Sequence, residues 1–136
     1  MHRLFVYGTL RRGEANHGLL QSARCLFRQA RAKGVLVDTG SGYPAMREGD
    51  GDVVGELYEV DDETLGRTDE LEDYFGPGDP RNLYERVLRP VRTEAGEMDA
   101  WVYVSDRFGA SPVIPSGDWV KHCESNGRPP FVKRTG

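Results

Sequence analysis

The chain has 136 residues, of which 38% are hydrophobic and 29% charged, with a formal net charge of −4 at pH 7. This length and composition predict a single globular domain over residues 1–136, large enough to bury a core. The negative charge argues against nucleic acid or an anionic membrane as a partner, and no apolar run approaches the length of a membrane span.

The first predicted element is a short strand at residues 4–7, which is apolar and rich in β-forming residue types. Gly8 and Thr9 end this strand, and two arginines and Gly13 then turn the chain. A strand that ends in Gly-Thr presents backbone N–H groups with little side-chain obstruction, and such groups can bind a carboxylate, a phosphate or a developing oxyanion. An edge strand followed by an ordinary turn fits the same pattern equally well.

The remaining pattern alternates strands with short helical segments. The predicted elements are, in chain order, a short helix at 14–23, a strand at 24–37, a turn at 38–42, a polar hairpin tip at 47–52, a strand at 53–60, a helix at 62–74, a Gly/Pro loop at 75–82, strands at 83–92 and 98–104, an irregular segment at 107–116, a helix at 117–125 and a surface tail at 127–136. Because strands dominate and no linker interrupts them, we predict an α+β domain.

The predicted helix at 62–74 carries the most informative side chain. At 100° per residue, its core face holds four apolar residues: Val60, Leu65, Leu71 and Phe75. Glu72 lies at the border of this apolar stripe, whereas the other acids of the helix point away or sit to the flank. A partly desolvated carboxylate has a raised pKa and accepts protons more readily, which suits a general base. Alternatively, Glu72 has a structural role and pairs with an arginine, such as Arg86, where the helix meets the sheet.

Other candidate residues favour structural roles. Glu56 shares a strand face with apolar residues and could enter a cavity, but a salt-bridged role is favoured. A helix-surface role is favoured for Asn16 and His17. Residues 122–124 (His-Cys-Glu) splay around a helix, so no metal site is predicted there.

The two cysteines indicate a reducing environment. Cys25 and Cys123 lie far apart and outside any C-x-x-C motif, and the start of the sequence lacks a signal-peptide pattern. We therefore expect structural thiols and a cytoplasmic location.

Four ordered blocks resemble the gamma-glutamylcyclotransferase-like superfamily, nearest the branch that contains the gamma-glutamylamine cyclotransferases. The blocks are YGTL at 7–10, GELY at 55–58, DELE at 69–72 and YER at 84–86. Their order and spacing match Y-G-[ST]-L, G-x-[LV]-Y, L-D-x-L-E-G and Y-x-R. Residues 42–45 and 116–119 also resemble that branch, so the likeness runs from Leu4 to Trp119.

The resemblance implies a mixed, mainly antiparallel β-barrel-like core flanked by short helices, with a cavity at the end of the first strand. By the same resemblance, Glu72 matches the catalytic glutamate. The residues implied to bind substrate are Tyr7, Gly8, Thr9, Leu10 and Tyr84, with the backbone amides of the YGTL block holding the glutamyl carboxylate.

Two positions depart from the family pattern. Thr68 stands where leucine is usual, and Asp73 replaces the glycine that follows the glutamate. If Asp73 lies near the pocket, its charge would raise the pKa of Glu72 further and repel an anionic substrate.

The implied activity is an intramolecular cyclisation that needs neither cofactor nor metal. The α-amine of a gamma-glutamyl amide attacks its own γ-carbonyl, giving 5-oxoproline and a free amine, with Glu72 as general base and acid. The alternative is a non-catalytic protein that binds a small carboxylate in the same pocket. The leaving amine stays open, as does the choice between monomer and homodimer, and residues 76–81 form either a lid or an ordinary loop.

Overall fold

The computed structural model describes residues 1–127, so nearly all of the predicted surface tail lies outside the described residues. Five strands and two α-helices make up the fold. They are β1 His2–Val6, β2 Arg24–Asp38, β3 Pro44–Val60, α1 Asp62–Leu71, β4 Glu85–Thr93, β5 Gly96–Val104 and α2 Trp119–Asn126, with a short 3-10 helix at His17–Leu20.

The strands close into a barrel in the order β1-β3-β2-β4-β5. Four of the contacts between neighbours are antiparallel, and β1 meets β5 in parallel at Leu4 and Trp101. The predicted mixed, mainly antiparallel barrel flanked by short helices is therefore confirmed. Within residues 1–127, no helix is long and apolar enough to cross a membrane.

Residues 4–6 of β1 are buried on both faces of the strand, which explains why this part of its sequence is an unbroken apolar run. Phe5 belongs to a cluster inside the barrel that draws on all five strands and on α2. Leu4 and Val6 point the other way, into a second cluster that includes Leu65 of α1. The chain leaves β1 between these two clusters, and the cavity described below opens at that point.

The predicted hairpin tip at residues 47–52 is wrong. The β2–β3 turn lies at residues 39–43, and residues 48–51 form an exposed bulge within β3, opposite Gly34 of β2. The strands approach so closely there that a Cβ at Gly51 would lie 2.8 Å from the Gly34 oxygen. The Gly-Asp-Gly sequence at residues 49–51 therefore forms part of a bulge rather than a turn.

The first α-helix is shorter than predicted. Asp61 caps it by accepting a hydrogen bond from the Thr64 N–H at 2.8 Å, but the helix ends at Leu71. Phe75 therefore leaves the predicted core face. Its ring is 50% exposed and stacks under the Arg81 guanidinium at 4.3 Å.

Candidate functional site

A cavity lies where β1 ends, between the chain that follows β1 and the C-terminal end of α1. It is lined by Phe5, Val6, Tyr7, Gly8, Thr9, Leu10, Asn16, Tyr43, Pro44, Leu71, Glu72, Tyr84 and Tyr103. Every site residue predicted from the sequence is among them. Residues 7–10 are called the loop wall here, and Leu71 with Glu72 the helix wall.

The loop wall exposes backbone donors to the cavity. The Arg11 N–H donates to the Gly8 oxygen at 3.0 Å and closes a turn, and a Cβ at Gly8 would lie only 2.9 Å from the Pro44 ring. Only glycine fits against that ring without displacing it. Within residues 1–127, no group accepts a hydrogen bond from the N–H of Gly8, Thr9 or Leu10. These amides remain available to an anionic group of a ligand.

A buried carboxylate holds the loop wall from behind. Glu56 accepts hydrogen bonds from Arg11 Nε at 3.1 Å, from the Arg12 N–H at 2.9 Å and from the Tyr58 hydroxyl at 2.8 Å. Burial, followed by the contact with Glu56, raises the pKa of Tyr58 far above its ordinary value. Arg11 also reaches Asp118, the N-cap of α2, at 2.9 Å. Glu56 does not line the cavity, which matches the structural role favoured from the sequence.

Asn16 and His17 brace the other side of the loop wall. The Asn16 side chain donates to Thr9 Oγ1 at 2.9 Å and its N–H donates to the Thr9 oxygen at 2.8 Å. His17 Nδ1 lies 2.9 Å from the Leu10 oxygen. The predicted helix-surface role is therefore wrong for Asn16, which lines the cavity.

The helix wall is set by the way α1 ends. Glu72 is the half-buried C-cap residue rather than a residue of the helix interior. The Tyr74 N–H donates to the Asp69 oxygen at 2.9 Å and the Asp73 N–H to the Glu70 oxygen at 3.2 Å, which together form a Schellman turn. This turn requires a left-handed residue, and Asp73 supplies it at φ 51°.

The Schellman turn explains the departure at position 73 in physical terms. Glycine adopts a positive φ without steric cost, and aspartate tolerates it better than most other residues. Asp73 is not among the described residues that line the cavity. Asp73 does directly follow Glu72, which lines the cavity, so its effect on Glu72 and on an anionic substrate stays a prediction.

Tyr103 connects the two walls. Its backbone oxygen accepts a hydrogen bond from the Tyr7 hydroxyl at 2.6 Å. Its own hydroxyl donates to Asp69 at 2.6 Å and lies 2.7 Å from Thr68 Oγ1. Burial raises the pKa of Tyr103 strongly, and the hydrogen bond to Asp69 and the charge of Glu72 raise it further. Tyr103 therefore keeps its proton, and sequence reasoning missed it as a lining residue.

Asp69 and Arg86 form the ion pair behind this tyrosine. Arg86 Nε lies 2.8 Å from Asp69 Oδ1, and the guanidinium stacks over the Trp101 ring at 4.4 Å. The ion pair of Arg86 is thus made with Asp69, whereas the sequence alternative assigned it to Glu72. Thr68 is fully buried and donates to the Leu65 oxygen at 2.9 Å, so a satisfied hydroxyl replaces the usual leucine.

Tyr84 closes the cavity from the chain before β4. It is 2% exposed, and its hydroxyl donates to the Pro44 oxygen at 2.8 Å. Pro44 is also the residue that packs against Gly8. Within residues 1–127, no cluster of His, Cys, Asp or Glu side chains is arranged to hold a metal ion.

The chain is similar in sequence to a known protein family and to proteins from several bacteria. A family model described as gamma-glutamyl cyclotransferase, AIG2-like, matches residues 4–121. Gamma-L-glutamyl-butirosin B gamma-glutamyl cyclotransferase from Niallia circulans is 52% identical over 107 residues, which are 79% of this chain and 69% of that protein. A protein from Halalkalibacterium halodurans, provisionally named a gamma-glutamylcyclotransferase, is 42% identical over 108 residues, 78% of this chain and 96% of that protein.

A solved structure shows the same fold at lower sequence identity. An AIG2-like protein from Mus musculus has a TM-score of 0.75 and 22% identity, with 99% of each chain covered. Together with the family match, this confirms the resemblance that the four sequence blocks predicted.

Proposed function

Because this chain belongs to the gamma-glutamyl cyclotransferase, AIG2-like family, we propose that it cyclises a gamma-glutamyl amide to 5-oxoproline and releases a free amine. The observation that supports the proposal is that Glu72 and residues 8–10, whose N–H groups have no acceptor among residues 1–127, line the same cavity. A half-buried carboxylate in one cavity with backbone donors suits a substrate that carries both an ammonium group and a carboxylate.

In the proposed binding step, the substrate's α-carboxylate accepts hydrogen bonds from the N–H groups of Gly8, Thr9 and Leu10. This contact leaves the neighbouring α-ammonium group directed towards Glu72. The hydroxyls of Tyr7 and Tyr84 donate to backbone oxygens of the protein, so we assign these two residues a packing role through their rings. Folding the glutamyl chain in this way converts attack on the γ-carbonyl into a well-oriented intramolecular step.

In the proposed chemical step, the Glu72 carboxylate accepts a proton from the α-ammonium group. The nitrogen then forms a bond to the γ-carbonyl carbon and closes a five-membered ring. The tetrahedral intermediate breaks its bond to the departing nitrogen, which receives the proton held by Glu72. The ring nitrogen, which still carries two protons, then gives one of them to Glu72, and Glu72 passes it to the released amine, which leaves as an ammonium ion. The carboxylate is regenerated, and no cofactor enters the balance.

The test is release of 5-oxoproline and free amine from purified protein. The panel contains gamma-glutamyl amides whose leaving amines differ: an aminoglycoside, chosen because of the butirosin substrate in the name of the Niallia circulans relative, a simple alkylamine, an amino acid and glutathione. An α-glutamyl dipeptide is the matched control, because its γ-carboxyl has no leaving amine. We expect equimolar 5-oxoproline and amine from at least one gamma-glutamyl amide and none from the control.

A different outcome would support the alternative function. If gamma-glutamyl compounds raise the melting temperature and yet release no 5-oxoproline from any member of the panel, the protein is a non-catalytic carboxylate binder. The panel therefore separates the two functions and also identifies the leaving amine.

We also propose a cytoplasmic location and a monomeric or homodimeric state. Cys25 is an exposed thiol that forms no disulfide, and Cys123 is buried. An exposed free thiol suits a reducing compartment. Light scattering of the purified protein would separate monomer from homodimer.

A further inference from the structure

One stretch of this acidic protein is strongly basic. Residues 24–33 in β2 contain Arg24, Arg28, Arg31 and Lys33 and no acidic residue, although the whole chain has a net charge of −4. All four side chains are exposed, and within residues 1–127 none forms an ion pair. Arg24 and Lys33 lie opposite Glu59 and Asp52 of β3, whereas Arg31 lies opposite Val54 and Arg28 has no acidic residue of β3 opposite it. Surface charges of the two signs are usually interspersed, so the lack of an acid opposite Arg28 and Arg31 needs an explanation.

Two of these arginines enter a groove between β2, the start of the chain after the loop wall, and the β4–β5 turn. The groove has a volume of about 840 Å³, which is in the size range of small-ligand sites. Its charged lining consists of Arg11, Arg28, Arg31, Arg92, Glu94 and Asp118. It shares no lining residue with the substrate cavity.

Of the four arginines in the groove, two form ion pairs with carboxylates of the described residues and two do not. Arg11 is held by Glu56 and Asp118, and Arg92 pairs with Asp52. Arg28 and Arg31 make no ion pair with the described residues. The groove therefore presents two available guanidinium groups, backed by two that are fixed in place.

The pairing of β2 with β4 places two positive charges opposite each other in the groove. Only two residue pairs join β2 to β4, and one of them sets Arg31 directly opposite Arg92. Like charges at directly opposite positions destabilise an antiparallel ladder. An anion bound between them would remove this repulsion.

We propose that this groove binds a small anion that carries at least two phosphate groups. Guanidinium groups match phosphate oxygens in a two-pronged geometry, and several of them converge here on one concave surface. The ring of Phe27 also lines the groove and offers an apolar face for the rest of such a ligand. The net negative charge of the protein favours a small ligand over a nucleic acid strand.

Calorimetric titration with inorganic pyrophosphate and tripolyphosphate at low salt tests the site. The variant is the double substitution Arg28→Gln/Arg31→Gln, and the matched control is Arg24→Gln/Lys33→Gln, which removes the same charge from the same strand outside the groove. We expect saturable binding to the unmodified protein, at least tenfold weaker binding to the Arg28→Gln/Arg31→Gln variant, and less than a threefold change in the control. We also expect pyrophosphate to raise the melting temperature of the unmodified protein but not that of the groove variant.

Three results would overturn the proposal. If neither pyrophosphate nor tripolyphosphate binds, the groove is not a phosphate site. Equal weakening in both double variants would indicate diffuse attraction to a basic strand. Tighter binding of a single-stranded oligonucleotide than of tripolyphosphate, with the same dependence on Arg28 and Arg31, would indicate a nucleic-acid surface. Circular dichroism of both variants shows whether each is folded, which we expect because the substituted residues are exposed.

Discussion

The loop wall and the helix wall of the cavity are fixed by different kinds of interaction. Behind the loop wall, the buried Glu56 carboxylate binds two arginines of the following turn through a side chain and an N–H group. The helix wall is placed by backbone conformation, because Glu72 sits at the end of a Schellman turn whose left-handed residue is Asp73. One wall thus depends on buried charge and the other on local geometry.

This difference separates binding from catalysis in the proposed mechanism. The loop wall supplies backbone donors, which substitutions other than proline leave in place. It is therefore damaged by loss of its support or by a side chain at Gly8 that would meet the Pro44 ring. The helix wall supplies the Glu72 side chain, which a conservative substitution changes while the backbone of the Schellman turn stays in place. Substitutions on the two walls should therefore have distinct effects on stability, substrate binding and turnover.

The largest effect is expected from Glu72→Gln. The amide keeps the shape of the side chain but cannot accept the proton, so we expect kcat to fall about 10³-fold while the melting temperature stays nearly unchanged. Steady-state release of 5-oxoproline measures the loss. Glu70→Gln is the matched control, since Glu70 is exposed one position before the end of α1. A Glu72→Gln variant with unchanged kcat would remove the catalytic assignment.

The next effect is expected from Glu56→Gln, which breaks the support of the loop wall. The side chain of Glu56 is 8% exposed and that of Arg11 is 12% exposed, so the change leaves a buried guanidinium without one of its two carboxylates. We expect a loss of about 3 kcal/mol in the free energy of unfolding, measured by denaturant titration, and a higher KM. Glu59→Gln, on the same strand but only half-buried, serves as the control. Unchanged stability and unchanged KM would show that the loop wall does not need this ion pair.

Tyr103→Phe tests the connection between the walls. The change deletes the hydroxyl that contacts Thr68 and Asp69 and leaves the backbone contact with Tyr7 in place. We expect a loss of about 2 kcal/mol, because the half-buried Asp69 oxygen loses one of its two donors and the buried Thr68 hydroxyl loses a partner. Denaturant titration measures the change, and a loss below about 0.5 kcal/mol would show that the hydroxyl contributes little to holding the helix wall.

Alkaline pH tests the same tyrosine together with Tyr58. Both pKa values are raised above the ordinary value of 10.0, chiefly by burial. The folded protein keeps these protons after the unfolded chain has lost them, so the free energy of unfolding should be unaffected below pH 10 and should fall above it. Denaturant titrations from pH 8 to pH 11 measure the slope. The slope should be shallower in Tyr103→Phe, and an equal slope would contradict burial of an un-ionised Tyr103.

The smallest effect is expected from Asp73→Gly, which relaxes the helix wall. Glycine removes the steric cost of a φ near 51°, so we expect a gain of about 1 kcal/mol in stability. Asp73→Ala is the matched opposite, because alanine tolerates this conformation less well than aspartate. Thermal unfolding of both variants measures the difference. Stabilisation by alanine as large as that by glycine would show that the charge of Asp73, and not its backbone conformation, is the unfavourable feature.

Much of the fold followed from alternation and residue type. The sequence was enough to predict the apolar run of β1 and the inward positions Ala100 and Val102 of β5. Side chains alternate between the two faces of a strand, so buried residues recur at every second position. The bulge at residues 48–51 could not be predicted from the sequence, since glycines and acids are also typical of turns. Only the pairing of β2 with β3 distinguishes a bulge from a turn here. The end of α1 was misplaced because aspartate at position 73 gave no glycine signal for a helix stop.

The candidate site was only partly readable for a similar reason. Local sequence pointed to Glu72 and to residues 7–10, since a carboxylate beside an apolar stripe and a Gly-Thr turn are short-range patterns. Tyr103 and Asn16 reach the cavity through tertiary contacts with Tyr7 and Thr9. Alternation on β5 does place Tyr103 on the face opposite Val102, and that was the one local signal which could have indicated it.

The most direct test of the central claim is a crystal structure of the Glu72→Gln variant with an intact gamma-glutamyl amide bound. We expect the substrate carboxylate within about 3.2 Å of the N–H groups of residues 8–10 and the α-nitrogen within about 3.2 Å of the side chain at position 72. An α-nitrogen more than about 6 Å from that side chain, or a glutamyl group seated away from the loop wall, would contradict it.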